Sequence, residues 1–441
     1  MNRQAMGHLE RYFARLERRQ PWRWRGKVLE AAGQTIESAG PLSAVGECCE
    51  IQDQFGRAHL VEVIGFRGSS VLSMPVETTE GIRFGDPVEA LATGPEIEVG
   101  PALMGRVLSA LGEPIDVGRP LGALRAFPLD GVVRSAMDRV PIRVPLGTGI
   151  RVLDGLLTVG RGQRVGIFGG SGVGKSTLIG MMTRNTEADV TVVGLVGERG
   201  REVVEFLEDA LGAEGRARSV VVVSTSDQSP LMRQRAAMAA TTVAEYFAAE
   251  GKHVLLVLDS LTRFAMAARE IGLAAGEPPT AKGYTPSVFS KLARLVERAG
   301  QFQVGSITAF YTVLMEGDDQ QDPIVDAVRS LLDGHIVLSR TLASEGWYPP
   351  IQVLDSISRL MPAVTQPEHR EQAALMRRMM AVYAHSEDLV RIGAYRAGAD
   401  PELDRALRVR GAMRAFMTQD AHEHVSFADC VRRLAALAQE V

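Results

Sequence analysis

The chain has 441 residues, room for two or three domains, of which 46% are hydrophobic and 23% charged, as in an ordinary globular protein. A formal net charge of -4 gives no bulk electrostatic pull toward nucleic acid, and the apolar runs fall well short of a membrane span. Cys48, Cys49 and Cys430 form neither a disulfide framework nor a metal-ligand spacing, and no leader-like segment opens the chain, so a cytoplasmic location is expected.

Residues 1–25 form a separate piece. Met6, Leu9, Phe13 and Leu16 recur at helical spacing up to Pro21, while Arg3, Arg11, Arg15, Arg18, Arg19, Arg23 and Arg25 crowd the polar positions. The pattern predicts an amphipathic docking helix for a partner protein or an acidic surface. Over 26–92 the texture changes to short alternating runs at 27–29, 59–64, 70–74 and 87–90, divided by Gly, Ser and Asp clusters. That is the pattern of a small β-barrel, here without the aromatic platform expected of an oligonucleotide-binding one.

The next unit is expected over 93–345. Its apolar runs at 165–168, 190–196, 220–224, 254–258, 304–311 and 335–338 are continuous rather than alternating, as in strands buried on both faces. Alternating with helical stretches, they predict an α/β core with a mostly parallel sheet. From 346 to 441 strand signals fade, and Ala, Leu, Met and Arg at helical spacing predict a helical end domain.

The chemistry begins at Gly169-Gly170-Ser171-Gly172-Val173-Gly174-Lys175-Ser176, followed by Thr177, which matches G-x-x-x-x-G-K-[ST] between a strand and a helix. Glycines let successive backbone N–H groups turn inward around an anion, and the helix N-terminus adds partial positive charge. Lys175 is expected to reach the β- and γ-phosphates of ATP, and the Ser176 hydroxyl to ligate Mg²⁺. Asp259 ends the apolar run 254–258 and is the expected second magnesium residue, acting through water. Its alternative is a helix-capping role ahead of Ser260. Hydrolysis also needs a base. Glu198, in Gly197-Glu-Arg-Gly-Arg-Glu202 after the next strand, is that candidate, with Arg199 beside it to steady phosphate or to hold Glu198. An exposed ion pair between Glu198 and Arg201 is the alternative.

These stretches resemble the catalytic subunits of rotary ATP synthases, and within that superfamily the flagellum-specific export ATPases. The resemblance extends through Asp259-Ser-Leu-Thr-Arg-Phe-Ala265, Gly305-Ser-Ile-Thr-Ala-Phe-Tyr-Thr-Val313, Glu316-Gly-Asp-Asp-Gln-Gln-Asp-Pro-Ile324 and Asp388-Leu-Val-Arg-Ile-Gly-Ala-Tyr395. It implies a RecA-like core and two further site residues. Tyr348 matches the aromatic residue that stacks on adenine, and Arg359 matches the arginine finger offered to a neighbouring subunit. It also implies a homohexamer at the inner face of the cytoplasmic membrane, with several partners. These are a stator-like export subunit at the N-terminal helix, export chaperones and flagellar substrates, and the export gate. A virulence-type secretion ATPase is the sibling reading, and a ring helicase of the termination-factor type the more distant one. No nucleic-acid partner is implied.

Overall fold

The computed structural model describes residues 24–131, 135–315 and 322–441. The docking-helix pattern at Met6–Leu16 and most of the Asp-Gln-Gln-Asp run at 319–322 lie outside these residues.

The first unit is a closed six-stranded barrel of Arg25–Ala32, Thr35–Ala39, Ser70–Pro75, Ala58–Arg67, Cys48–Gln52 and Pro87–Ala90, in that spatial order. Alternation sends Val28, Ile36, Cys49, Ile51, Val61, Val63 and Val88 inward, and closure leaves no unpaired edge. The strands are expected to carry no aromatic platform, and among the described residues none forms. Phe55, Phe66 and Phe84 are all exposed, but Phe55 and Phe84 lie outside the strands and Phe66 near a strand end, so no strand carries a row of them. The barrel is fixed to the rest of the molecule by Met74 and Val76, which join the main core, and by an inter-unit ion pair, Arg235 to Glu62 at 2.7 Å.

The central unit is a nine-stranded sheet. Its main path runs Ile357–Ser358, Gly334–Val337, Arg164–Gly169, Ser306–Leu314, His253–Asp259, Val190–Glu198, Ser219–Thr225 and Val107–Ser109. Every pairing from Gly334–Val337 to Val107–Ser109 is parallel, and the antiparallel pairings are at Ile357–Ser358 and at the short Gly300–Gln301. Strand His253–Asp259 shows why its apolar run is continuous. Val254, Leu256 and Leu258 enter the core beneath helices Pro230–Ala249, Leu261–Ala274 and Pro286–Glu297. Leu255 and Val257 enter the opposite one, with helix Lys175–Asn185 and the C-terminal helices. Both faces are covered, so neither needs polar residues.

Residues 346–358, expected at the start of the helical end, stay with the sheet. Ile357–Ser358 pairs with Gly334–Val337, and buried Ile351 and Val353 extend the core. The helical end proper is Pro367–Arg391, Pro401–Met417 and Phe427–Gln439. Its Met376, Val409, Met413 and Leu434 pack on the same core face as the helix that follows the glycine-rich loop.

Candidate functional site

Because these strands run parallel, their C-terminal ends share one edge of the sheet, where open α/β folds bind ligands. Gly169, Asp259 and Glu198 all lie there. The loop 170–174 leads into helix Lys175–Asn185, whose N-cap, Gly174, adopts a left-handed conformation with φ 91° that a side chain would strain. Val173 is buried and anchors the loop, while Ser171, Ser176 and Thr177 are exposed at its mouth. A glycine-rich loop leading into a helix start, with left-handed Gly172 and Gly174, is the arrangement in which backbone amides turn toward an anion.

Lys175 is the first helical residue and faces Asp259, Glu198 and Glu202, whose negative charges favour its ammonium form. Burial, with Arg263 as a like-charged neighbour, nevertheless pulls its pKa below the ordinary lysine value. Asp259 is 7% exposed and accepts a hydrogen bond from Thr312 Oγ1 at 2.5 Å. It does not cap the following helix: Ser260 does, accepting from the Arg263 amide. A hard carboxylate and an exposed serine hydroxyl at the same sheet edge are a donor set that suits Mg²⁺ completed by water and phosphate oxygens.

Glu198 reaches the site through a local irregularity. The pairing of Val190–Glu198 with Ser219–Thr225 slips between Val196 and Glu198, and Gly197 takes a left-handed φ of 70°. Such bulges re-aim a side chain. A β-carbon on Gly197 would also sit a tight 3.2 Å from Arg263 Cβ, which adds to the strain that the left-handed φ would place on a side chain there. Burial, then the Asp259 charge and a hydrogen bond with Glu202, push the Glu198 carboxyl up to about 8, with Arg263 opposing. A carboxylate surrounded in this way is poised near neutral pH, where a general base works best.

Of the two roles expected of Arg199, holding Glu198 is not the one its position serves. Its side chain is largely exposed and its guanidinium faces Glu202 at 3.7 Å, not Glu198. Arg201 pairs with Glu205 at 3.1 Å, so the alternative Glu198–Arg201 ion pair is not formed. Two residues at the site had no assigned role in the sequence reading, Arg263 and Glu202. Both lie inside the quoted motifs, and Arg263, four residues after Asp259, sits in the first turn of the helix that leaves the same strand.

Tyr348 is half-exposed beside the loop: a β-carbon built on Gly174 would lie 3.8 Å from its Cε1. Arg359 is exposed at the other end of the sheet. Its amide donates to the Asp333 carbonyl at 3.0 Å, and the Asp333 carboxylate pairs with Arg164, the first residue of the strand that leads to the loop. From Arg164 to Gly169 is about 16 Å at ~3.3 Å per residue. Arg359 is therefore remote from its own chain's loop.

A glycine-rich phosphate loop, a strand-end carboxylate and a half-buried glutamate on a parallel sheet define a P-loop ATPase. The chain belongs to the ATP synthase alpha/beta family, whose nucleotide-binding domain matches residues 149–358, and residues 365–436 match the T3SS EscN ATPase C-terminal domain. It is 52% identical over 431 residues to the flagellum-specific ATP synthase of Treponema pallidum, covering 97% of this chain and 96% of that protein. It is also 52% identical to the flagellum-specific ATP synthase of Pseudomonas aeruginosa, covering 93% and 92%. The assembled ATPase EscN of the enteropathogenic E. coli type III secretion system superposes with a TM-score of 0.89 at 42% identity, covering 94% of this chain and all of that one.

Proposed function

We propose that this chain is a magnesium-dependent ATPase that energises type III export of flagellar proteins as a homohexamer. The observation that carries the reading is the convergence of Lys175, Glu198 and Asp259 at one sheet edge, with Arg359 exposed at the other. Lys175 and the loop amides 170–176 bind the phosphates. Ser176 and Asp259 would hold Mg²⁺, which when bound would supply positive charge against the phosphate oxygens. Glu198 accepts the proton of the attacking water, and Arg263 and Lys175 favour its ionised form. Tyr348 stacks on the adenine. Arg359, unable to serve its own loop, completes the site of the adjoining subunit, so a head-to-tail ring is the working form.

The flagellar reading rests on the 52% identity to flagellum-specific relatives, and the virulence-type reading on the 42% identity to EscN. Residues 1–25 dock a stator-like export subunit, and the ring engages chaperones and substrates at the cytoplasmic face of the export gate. No nucleic acid takes part. The test is genetic and biochemical together. The purified protein should release phosphate from ATP only with Mg²⁺, and cells deleted for the gene should lack filaments until given the wild-type chain, Lys175→Ala failing to restore them. Normal filaments in the deletion strain would discard the flagellar reading.

A further inference from the structure

The segment that carries Tyr348 is gripped by the helical end rather than by the phosphate loop it faces. Arg414, in the last turn of helix Pro401–Met417, donates to the Glu345 carbonyl at 3.1 Å and lies over the Trp347 ring, 5.1 Å from its centroid. Just past that helix, the Gln419 amide donates to the Tyr348 carbonyl at 2.8 Å. Gln419 is itself 3% exposed and immobilised on three sides. Its Oε1 accepts from the Arg151 amide at 2.8 Å, and its Nε2 donates to the carbonyls of Gly149 and Glu423, each at 2.8 Å. Arg151 in turn donates to the Phe416 carbonyl at 2.8 Å and to the Thr418 carbonyl, and pairs with Glu423. A cation placed on the last carbonyls of a helix satisfies acceptors that have no partner within it.

A buried amide whose donors and acceptor are all engaged fixes its own backbone tightly. Here that backbone holds the carbonyl of the half-exposed tyrosine. We propose that Gln419, with Arg414 as a second clamp, is a positioning residue for the base: it orders Tyr348 beside the phosphate loop, so that affinity for the adenine half of ATP depends on docking of the helical end. This rests on the reading of Tyr348 as the stacking residue. None of these hydrogen bonds involves a residue of the phosphate loop itself, so phosphate binding by Lys175 and the loop amides does not draw on them directly.

The separation gives the experiment its two probes, MgATP and magnesium tripolyphosphate, which shares the phosphates and lacks base and sugar. Dissociation constants for both are measured on the full-length wild type, Tyr348→Ala, Gln419→Ala and Arg414→Ala. Tyr348→Ala should weaken MgATP by about tenfold or more through lost stacking. Gln419→Ala keeps the backbone N–H that donates to the Tyr348 carbonyl but removes the three side-chain bonds that fix it, and should weaken MgATP by about threefold to tenfold, the scale of a weakened hydrogen bond. Tripolyphosphate binding should stay within about twofold of wild type in each variant. Equal weakening of both ligands in Gln419→Ala means general damage and overturns the positioning role. A selective loss in Tyr348→Ala without one in Gln419→Ala overturns the proposal and leaves the stacking reading intact, whereas no selective loss in Tyr348→Ala overturns both. If Gln419→Ala fails to fold, the exposed Arg414→Ala decides: a selective loss for MgATP supports the clamp, and an unchanged ratio of the two affinities refutes it.

Discussion

The Thr312 hydroxyl donates to Asp259 Oδ1 at 2.5 Å, tying the end of strand His253–Asp259 to the neighbouring strand Ser306–Leu314. The parallel register that pairs Leu258 with Tyr311 brings the two residues together. A hydrogen bond to a charged group is worth about 1.5–3 kcal/mol, and here it also fixes the orientation of the carboxylate. Thr312→Val keeps the shape and removes the donor. The Mg²⁺ concentration for half-maximal ATPase rate should rise several-fold, with a smaller loss at saturating Mg²⁺. An unchanged Mg²⁺ dependence would mean that Asp259 does not act on the metal.

Glu198→Gln removes the base and preserves size. Loss of a positioned general base typically costs about 10²–10⁴-fold in rate, so turnover should nearly vanish. ATP affinity should hold within a few-fold, because Lys175 and Asp259 are untouched. Fluorescent-nucleotide binding beside a phosphate-release assay separates the two outcomes. Affinity falling in step with rate would make Glu198 a structural residue.

The parts of this site legible in the sequence are those written within a short stretch of chain. The phosphate loop is one, since a strand, glycines and a helix start must follow one another. Asp259 was legible as the end of a buried run. Thr312 was not, because only the register of two neighbouring strands brings it to Asp259, whereas Arg263 and Glu202 sit one helical turn beyond Asp259 and Glu198 and are local in the chain without a residue type that marks their role. The roles of Tyr348 and Arg359 came from family resemblance. Gln419, 71 residues beyond Tyr348 in the chain, looks like any polar residue after a helix until the fold shows its four hydrogen bonds. The barrel was readable from alternation and turn residues. Alternation describes strands and says nothing of Phe55 and Phe84, which lie exposed in the connections between them.

His253, at the start of the strand that ends in Asp259, carries a pH dependence of folding. Burial, then the nearby Arg161 charge, depress its pKa to about 4, against the opposing pull of Asp189. Its Nδ1 meets the Ser306 hydroxyl, while Nε2 is buried without a partner among the described residues. A histidine with a depressed folded pKa adds stability above its unfolded value of 6.5, and loses it as pH falls toward about 4, where the unfolded chain binds the extra proton. Urea midpoints of the wild type should therefore drop between pH 6.5 and 5. His253→Gln, which has no proton to gain, should show a shallower drop over that window. Parallel curves for the two proteins would remove His253 as the cause.

Arg359 and Lys175 lie at opposite ends of the same sheet, which makes a complete site a property of two subunits. An arginine finger is worth about 10³–10⁵-fold in rate, so Arg359→Ala should bind ATP and scarcely turn it over. Lys175→Ala should neither bind nor hydrolyse. When the two inactive proteins are mixed under conditions that allow subunit exchange, some interfaces join the intact Lys175 loop of one chain to the intact Arg359 of the other. Random assembly of equal amounts places such a site at roughly a quarter of the interfaces of a head-to-tail ring. Activity should then return to a fraction near or below that value, since sequential firing around a ring would be interrupted by dead neighbours. An arginine acting within its own chain gives the opposite result, because every subunit in the mixture would lack one of the two groups. Differently tagged subunits that co-purify in mixed rings, yet remain as inactive as either parent, would refute the action in trans.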